Sequence, residues 1–325
     1  MSGNSNSNTL SRRGFLRSMG DGSESKRELS SLEPQGDPAA QPFPDGKYVD
    51  FHVHVGQKWA TGRRALSAGQ IVQWMDENDI SQAVVHPLVN PESLDHLLTN
   101  DYVLKQTAPY RDRLIPFAAI DPRQPLNTWG TSNVEMLQKY LDAGAMGFGE
   151  HKPGIPIDDP QNMEIYEACA ELDLCIMFHL DAYRNTDDIG FPALEKVLQT
   201  FPEVTFVGHA PGFWAGISGD MTEDEFSSYP DTEATAGGAV PRLFAEYSNL
   251  YGDLSSGSGA NAISRDMEFG RQFIIDNADQ LLWGTDYLHP DWNARQLRLY
   301  PKLDLPEEVQ RKVYRDNARE LLGLI

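Results

Sequence analysis

The chain has 325 residues, a formal charge of −21, 40% hydrophobic residues and 10% aromatic residues. Such proportions are ordinary for a globular protein with a large core, and the negative field repels phosphate, which argues against nucleic-acid and anionic-membrane partners. The length exceeds that of a usual single domain, but an α/β barrel reaches it as one domain.

At the N-terminus, Ser11-Arg12-Arg13-Gly14-Phe15-Leu16-Arg17 resembles a twin-arginine export motif. An export signal also needs an apolar segment of roughly 7–15 residues behind its charged part, and here the chain continues in polar residues. Residues 1–44 are therefore read as a disordered tail, a remnant of such a signal, and the protein as cytoplasmic. No stretch approaches the ~18 apolar residues of a membrane span. Cys169 and Cys175 match no metal-binding spacing and read as buried free thiols.

From Tyr48 onward, short apolar runs alternate with amphipathic segments. The strand candidates are Tyr48–His52, Gln82–His86, Leu114–Ile120, Ala145–Glu150, Leu174–His179, Val204–His209, Leu250–Leu254 and Leu281–Asp286. Helical candidates between them are Gly69–Asn78, Pro91–Ala108, Ser132–Ala143, Asn162–Leu172, Pro192–Phe201, Val240–Tyr247 and Asn261–Asn277. A final pair, near Asn293–Tyr300 and Pro306–Leu322, closes the chain. Eight strands, each followed by helix, is the count for a (β/α)8 TIM barrel over residues 45–325. A doubly wound open sheet would show five or six strands and one ligand-binding switch point, so the many polar strand ends favour the barrel. The longest strand-to-helix connection, Pro211 to about Gly238, carries Phe213 and Trp214 and reads as a structureless lid or substrate wall.

Chemistry concentrates at the C-terminal ends of the strands, which a barrel gathers around one mouth. In D-F-H-V-H, His52 and His54 are two apart on a strand and can reach one cation, while Asp50 is placed to orient an imidazole. A strand-borne H-x-H is weak alone; the alternative is two polar residues where a buried strand surfaces. His179 and His209 each end an apolar run, and Asp286 ends the eighth, beside the first once the barrel closes. Imidazoles and a carboxylate in one small volume suit a zinc-like cation.

The pieces D-F-H-V-H, F-H at His179, G-H-A-P-G and W-G-T-D-Y-L-H-P together resemble the amidohydrolase superfamily, within its amidohydrolase-related group of metal-dependent TIM-barrel hydrolases and decarboxylases. The resemblance covers about residues 48–322. It implies His52, His54, His179 and Asp286 as ligands of a divalent metal, zinc foremost with manganese as the other choice, in one or two ions. His209 would polarise substrate or bind a second metal, Asp286 would accept the proton of an activated water, and Glu150 in G-F-G-E-H-K would bridge two ions or contact a ligand histidine.

Cations near the mouth (Lys58, Arg63, Arg64, Lys152 and Arg184) point to a carboxylate-bearing substrate, the bland alternative being solvated loop charges. His86, His151, Trp214 and His289 are further candidates for substrate contact, whereas His96 reads as the surface of a helix. The expected function is a metal-dependent hydrolase of an ester, lactone or amide. The alternatives are a decarboxylase of an unsaturated or aromatic acid, and a non-catalytic metabolite-binding barrel. The expected partner is a small-molecule substrate, with neither nucleic acid nor membrane; a homo-oligomeric state is left open.

Overall fold

Eight short parallel strands form the centre of the protein, whose computed structural model describes residues 46–56, 64–124 and 130–325. The expected tail, residues 1–44, and the cations Lys58 and Arg63 lie outside those residues. The strands are β1 (Tyr48–Val53), β2 (Ile80–Val85), β3 (Leu114–Pro116), β4 (Phe148–His151), β5 (Ile176–His179), β6 (Phe206–His209), β7 (Leu250–Asp253) and β8 (Leu281–Leu282). They pair in chain order in two runs, β1 to β3 and β4 to β8. Parallel bridges Ala118↔Phe148 and Val53↔Tyr287 join the runs on both sides and close the barrel. Closure leaves no strand edge without a partner, which is why such short strands suffice.

The apolar runs are buried on both faces, as a parallel sheet covered by helices requires. Val49, Phe51, Phe117, Met177, Val207 and Leu282 pack into one cluster with Ala318 of the last helix, Asn317–Leu321, and with Leu322 just beyond it. A larger cluster, including Val53, Val85, Phe148 and Phe206, joins the strands to the surrounding helices.

Capping boxes start the helices at Ala68–Glu77 (Ser67 with Gln70) and Asn133–Asp142 (Ser132 with Glu135), each pairing two otherwise orphaned backbone donors. Three expectations need correction. The expected helix Pro91–Ala108 is a 3-10 segment, Pro91–His96, followed by a helix at Asn100–Thr107; Leu94 breaks it at φ 55°. The expected Asn261–Asn277 helix is two, Ser256–Ser264 and Met267–Asp276, because Asp266 caps the second. The connection after β6 is not structureless: it contains a helical turn, Pro211–Ala215, and a 3-10 turn, Glu223–Ser227. Among the described residues, no helix is long and apolar enough to cross a membrane.

Strands β1 and β8 are tied across the seam by Asp50. Its Oδ1 accepts from the backbone N–H of His52 (3.1 Å) and Thr285 (2.9 Å), and its Oδ2 from the Thr285 hydroxyl (2.5 Å). Thr285→Val removes the hydroxyl donor from a buried carboxylate. It is expected to lower stability by about 1–3 kcal/mol in urea-unfolding curves; an unchanged midpoint would show that the seam does not depend on this bond.

Candidate metal centre

The two histidines of β1 aim at each other. His52 donates Nδ1–H to Asp253 Oδ2 at 2.8 Å, and His54 donates Nδ1–H to the carbonyl of His86 at 2.9 Å. With both Nδ1 protons committed outward, the two Nε2 atoms face each other at 3.0 Å, and despite burial the carboxylates of Asp253, Glu150 and Asp286 hold His52 well above its ordinary value, so a positive charge is favoured there. Two lone pairs at that separation repel unless a proton or a cation lies between them. Asp286 Oδ1 is 3.4 Å from His54 Nε2 and 3.7 Å from His52 Nε2. Glu150 Oε2 lies 3.6 and 3.7 Å from the same two atoms. Tetrahedral bonds of about 2.0–2.2 Å separate ligand atoms by about 3.3–3.6 Å, so this donor set fits a zinc-sized ion without large movement. Two converging groups could hold an ion: His52, His54 and Asp286, and His52, Glu150 and His209.

Neighbouring charges keep the acids ionised despite burial. Burial alone would raise Asp286, but the imidazoles of His54, His52 and His209 outweigh it and hold the carboxyl below its usual range. For Glu150, burial is overcome by Lys152, His179 and His52, leaving it well below that range. His209 is lowered by burial and by the nearby His52 ring. Asp50, with no cation at hand, is pushed up to about 7 by burial against its three hydrogen bonds.

The donors open into a cavity of about 500 Å³ at the barrel mouth, walled by Glu92, His96, Tyr183, Arg184, Ser227 and Tyr229. His54, Glu150, Lys152, His179, His209 and Asp286 line its inner end. Lys152 Nζ is 2.9 Å from Glu150 Oε2, and Arg184 pairs with Asp181 at 2.6 Å.

Other expected site residues take different places. His179 lines the cavity but belongs to neither converging group; its nitrogens face Glu150 Oε1 at 2.7 Å and Asp181 Oδ2 at 2.9 Å. Asp50 does not orient the His52 ring: the register shifts between Asp50 and Val53, and Asp50 binds Thr285 instead. His151 turns away from the mouth, with Nε2 2.8 Å from Asn162 Oδ1 and its ring against Phe148 and Tyr166. Trp214 is buried beneath the lining and donates Nε1–H to the carbonyl of Asp253 at 2.8 Å. His289 packs against Trp292 and is not part of the cavity wall. Arg64 is exposed and forks onto Asp291 at 3.1 and 2.5 Å. His86 lies below the site, its Nε2 3.0 Å from the Phe51 carbonyl, and burial lowers it to about 3. His96 is a half-buried wall residue and not a helix surface.

Two acids escaped the sequence reading. Asp253 ends L-Y-G-D on β7 just as the flagged residues end their strands, and Asp181 stands two after His179. The strand-end pattern was signal enough for the first.

This is a TIM barrel with its donors at the C-terminal mouth. The chain belongs to the amidohydrolase family, whose model matches residues 49–324. No curated protein matches it. Among solved structures it is similar to an uncharacterized TIM-barrel protein from Bordetella bronchiseptica (16% identity, TM-score 0.60, covering 85% of this chain and 98% of that one). A probable 2-pyrone-4,6-dicarboxylic acid hydrolase from Acinetobacter baumannii, with citric acid bound, is 14% identical (TM-score 0.56, 85% and 99% covered). A 5-carboxyvanillate decarboxylase from Novosphingobium aromaticivorans, holding manganese and 4-hydroxy-3-methoxy-5-nitrobenzoic acid, is 15% identical (TM-score 0.51, 80% and 81% covered).

An ion bound only by the folded protein must raise its stability, by about 2.7 kcal/mol at a hundredfold excess over Kd. Zinc or manganese added to chelator-treated protein is therefore expected to raise Tm, and His52→Gln to abolish the rise. An equal rise in His52→Gln would place the ion elsewhere.

Proposed function

We propose that this protein is a metal-dependent hydrolase that cleaves an ester, lactone or amide of a small, carboxylated molecule. The observation that carries the reading is Asp286, an ionised carboxylate that lines the cavity while its Oδ1 faces both β1 imidazoles. His52, His54, Asp286 and Glu150 would hold the ion. Once bound, it would supply Lewis acidity, lowering the pKa of a water and stabilising developing negative charge on the substrate oxygen.

The chain's own groups account for the remaining steps. The Asp286 carboxylate is placed to accept the water's proton and return it to the leaving group, since it is ionised and opens to the cavity. His209 Nδ1 is taken by Asp253 at 2.8 Å, so Nε2 is the nitrogen left for substrate. Lys152 and Arg184 on the cavity lining support a carboxylate-bearing substrate by charge complementarity. Glu150 and Asp181, already paired with them, limit how much positive charge is free, which fits a small acid better than a polyanion.

Asp286→Asn is expected to cut kcat by about 10²–10⁴-fold, the usual scale of general acid–base catalysis, while the circular dichroism spectrum is unchanged. Wild-type turnover in that variant would remove Asp286 from the mechanism. The reaction itself is read by offering lactones, esters, amides and aromatic acids and following acid release against carbon dioxide release. Hydrolysis is expected; carbon dioxide from the aromatic acids would replace it with decarboxylation.

A further inference from the structure

We infer that Asp253 is a positioning residue that sets the tautomers of two functional histidines at once, and so couples the metal-holding His52 to the substrate-side His209. Its Oδ2 lies 2.8 Å from His52 Nδ1 and 2.8 Å from His209 Nδ1. The same oxygen accepts the Ser255 hydroxyl at 2.5 Å, and Oδ1 accepts the Ser255 backbone N–H at 3.1 Å. The side chain is fully buried, and an ionised carboxylate can only accept. Both imidazoles must therefore carry their proton on Nδ1. With an ion in place of its second proton, His52 presents a lone pair on Nε2, the atom opposite His54 Nε2. His209 is left with a lone pair on Nε2 at the cavity, where it accepts a hydrogen bond or a proton from substrate and does not donate one.

The seat of this carboxylate is tight. A Cβ at Gly284 would stand 2.7 Å from Asp253 Oδ1 and 3.4 Å from the His52 Cβ, so the glycine before Thr285 is what lets β8 approach. The Trp214 indole fixes the backbone of Asp253 from the other side. A carboxylate held on two sides, with one oxygen serving two rings, does more than satisfy a strand end. It makes the geometry at the ion and the polarity of the substrate-side imidazole depend on the same atom.

The inference shares residues with the proposed metal centre but does not need turnover to be tested. Histidine-selective ¹⁵N NMR of the zinc-loaded wild-type protein is expected to show Nδ1–H on both His52 and His209; Nε2–H on His209 would overturn the inference without any variant. In Asp253→Asn the Ser255 backbone N–H keeps the amide oxygen at the Oδ1 position, so the amide NH2 faces both rings and each must move its proton to Nε2. Its manganese affinity, measured by equilibrium dialysis, is expected to fall about 10–100-fold, the usual effect of losing a ligand histidine's carboxylate partner. A variant with wild-type affinity and both Nδ1–H signals would reduce Asp253 to a structural residue. Wild-type protein with both Nδ1–H tautomers but no retained metal would uphold this inference while sinking the metal-centre reading.

Discussion

Two imidazole nitrogens 3.0 Å apart, each with its proton directed away from the other, set the terms for the rest of the molecule. That contact is unfavourable on its own and becomes favourable with a positive charge between the rings. The surrounding carboxylates of Asp286 and Glu150 add to the demand, since buried anions are stable only when paired. Barrel closure makes the arrangement possible. Asp286 reaches β1 because its backbone N–H bonds to the carbonyl of His52 at 2.8 Å, the seam between the last strand and the first.

The remaining polar groups at the mouth answer the same electrostatic problem. Asp50, Glu150, Asp253 and Asp286 set four carboxylates among the buried imidazoles of the barrel. Three have close donors, Thr285 for Asp50, Lys152 and His179 for Glu150, and His52 and His209 for Asp253, while Asp286 Oδ1 faces His54 Nε2 at 3.4 Å. The rings are thereby fixed in orientation before any ligand arrives, which is what a site needs if binding energy is not to be lost in ordering it. The substrate-facing wall is built differently, from loop residues such as Tyr183 and Tyr229 that are largely exposed.

The barrel was legible because apolar runs ended repeatedly in ionisable residues, a pattern that only a closed parallel sheet turns into one site. The register between β5 and β6, which sets His179 directly beside His209, follows from runs of equal length ending at the same level. Legibility failed wherever simple alternation failed. Asp50 spends its carboxylate on Thr285 across the seam, so the partner of His52 came instead from β7, some two hundred residues away. His151, one past Glu150, fell on the helix side of its strand, Trp214 sat on the short helical turn Pro211–Ala215 after β6, and His289 sat in a loop whose path no periodicity encodes. The cations divide: Arg64 pairs with Asp291 away from the cavity, whereas Lys152 and Arg184 stay on its lining while paired with Glu150 and Asp181.

The most direct test is a crystal of metal-replete protein measured at the absorption edge of the bound element. An anomalous peak between the facing nitrogens of His52 and His54, in contact with Asp286, is the predicted result. A protein that binds its metal at another place, or a mouth in which those two rings have turned apart with no ion between them, would contradict the account.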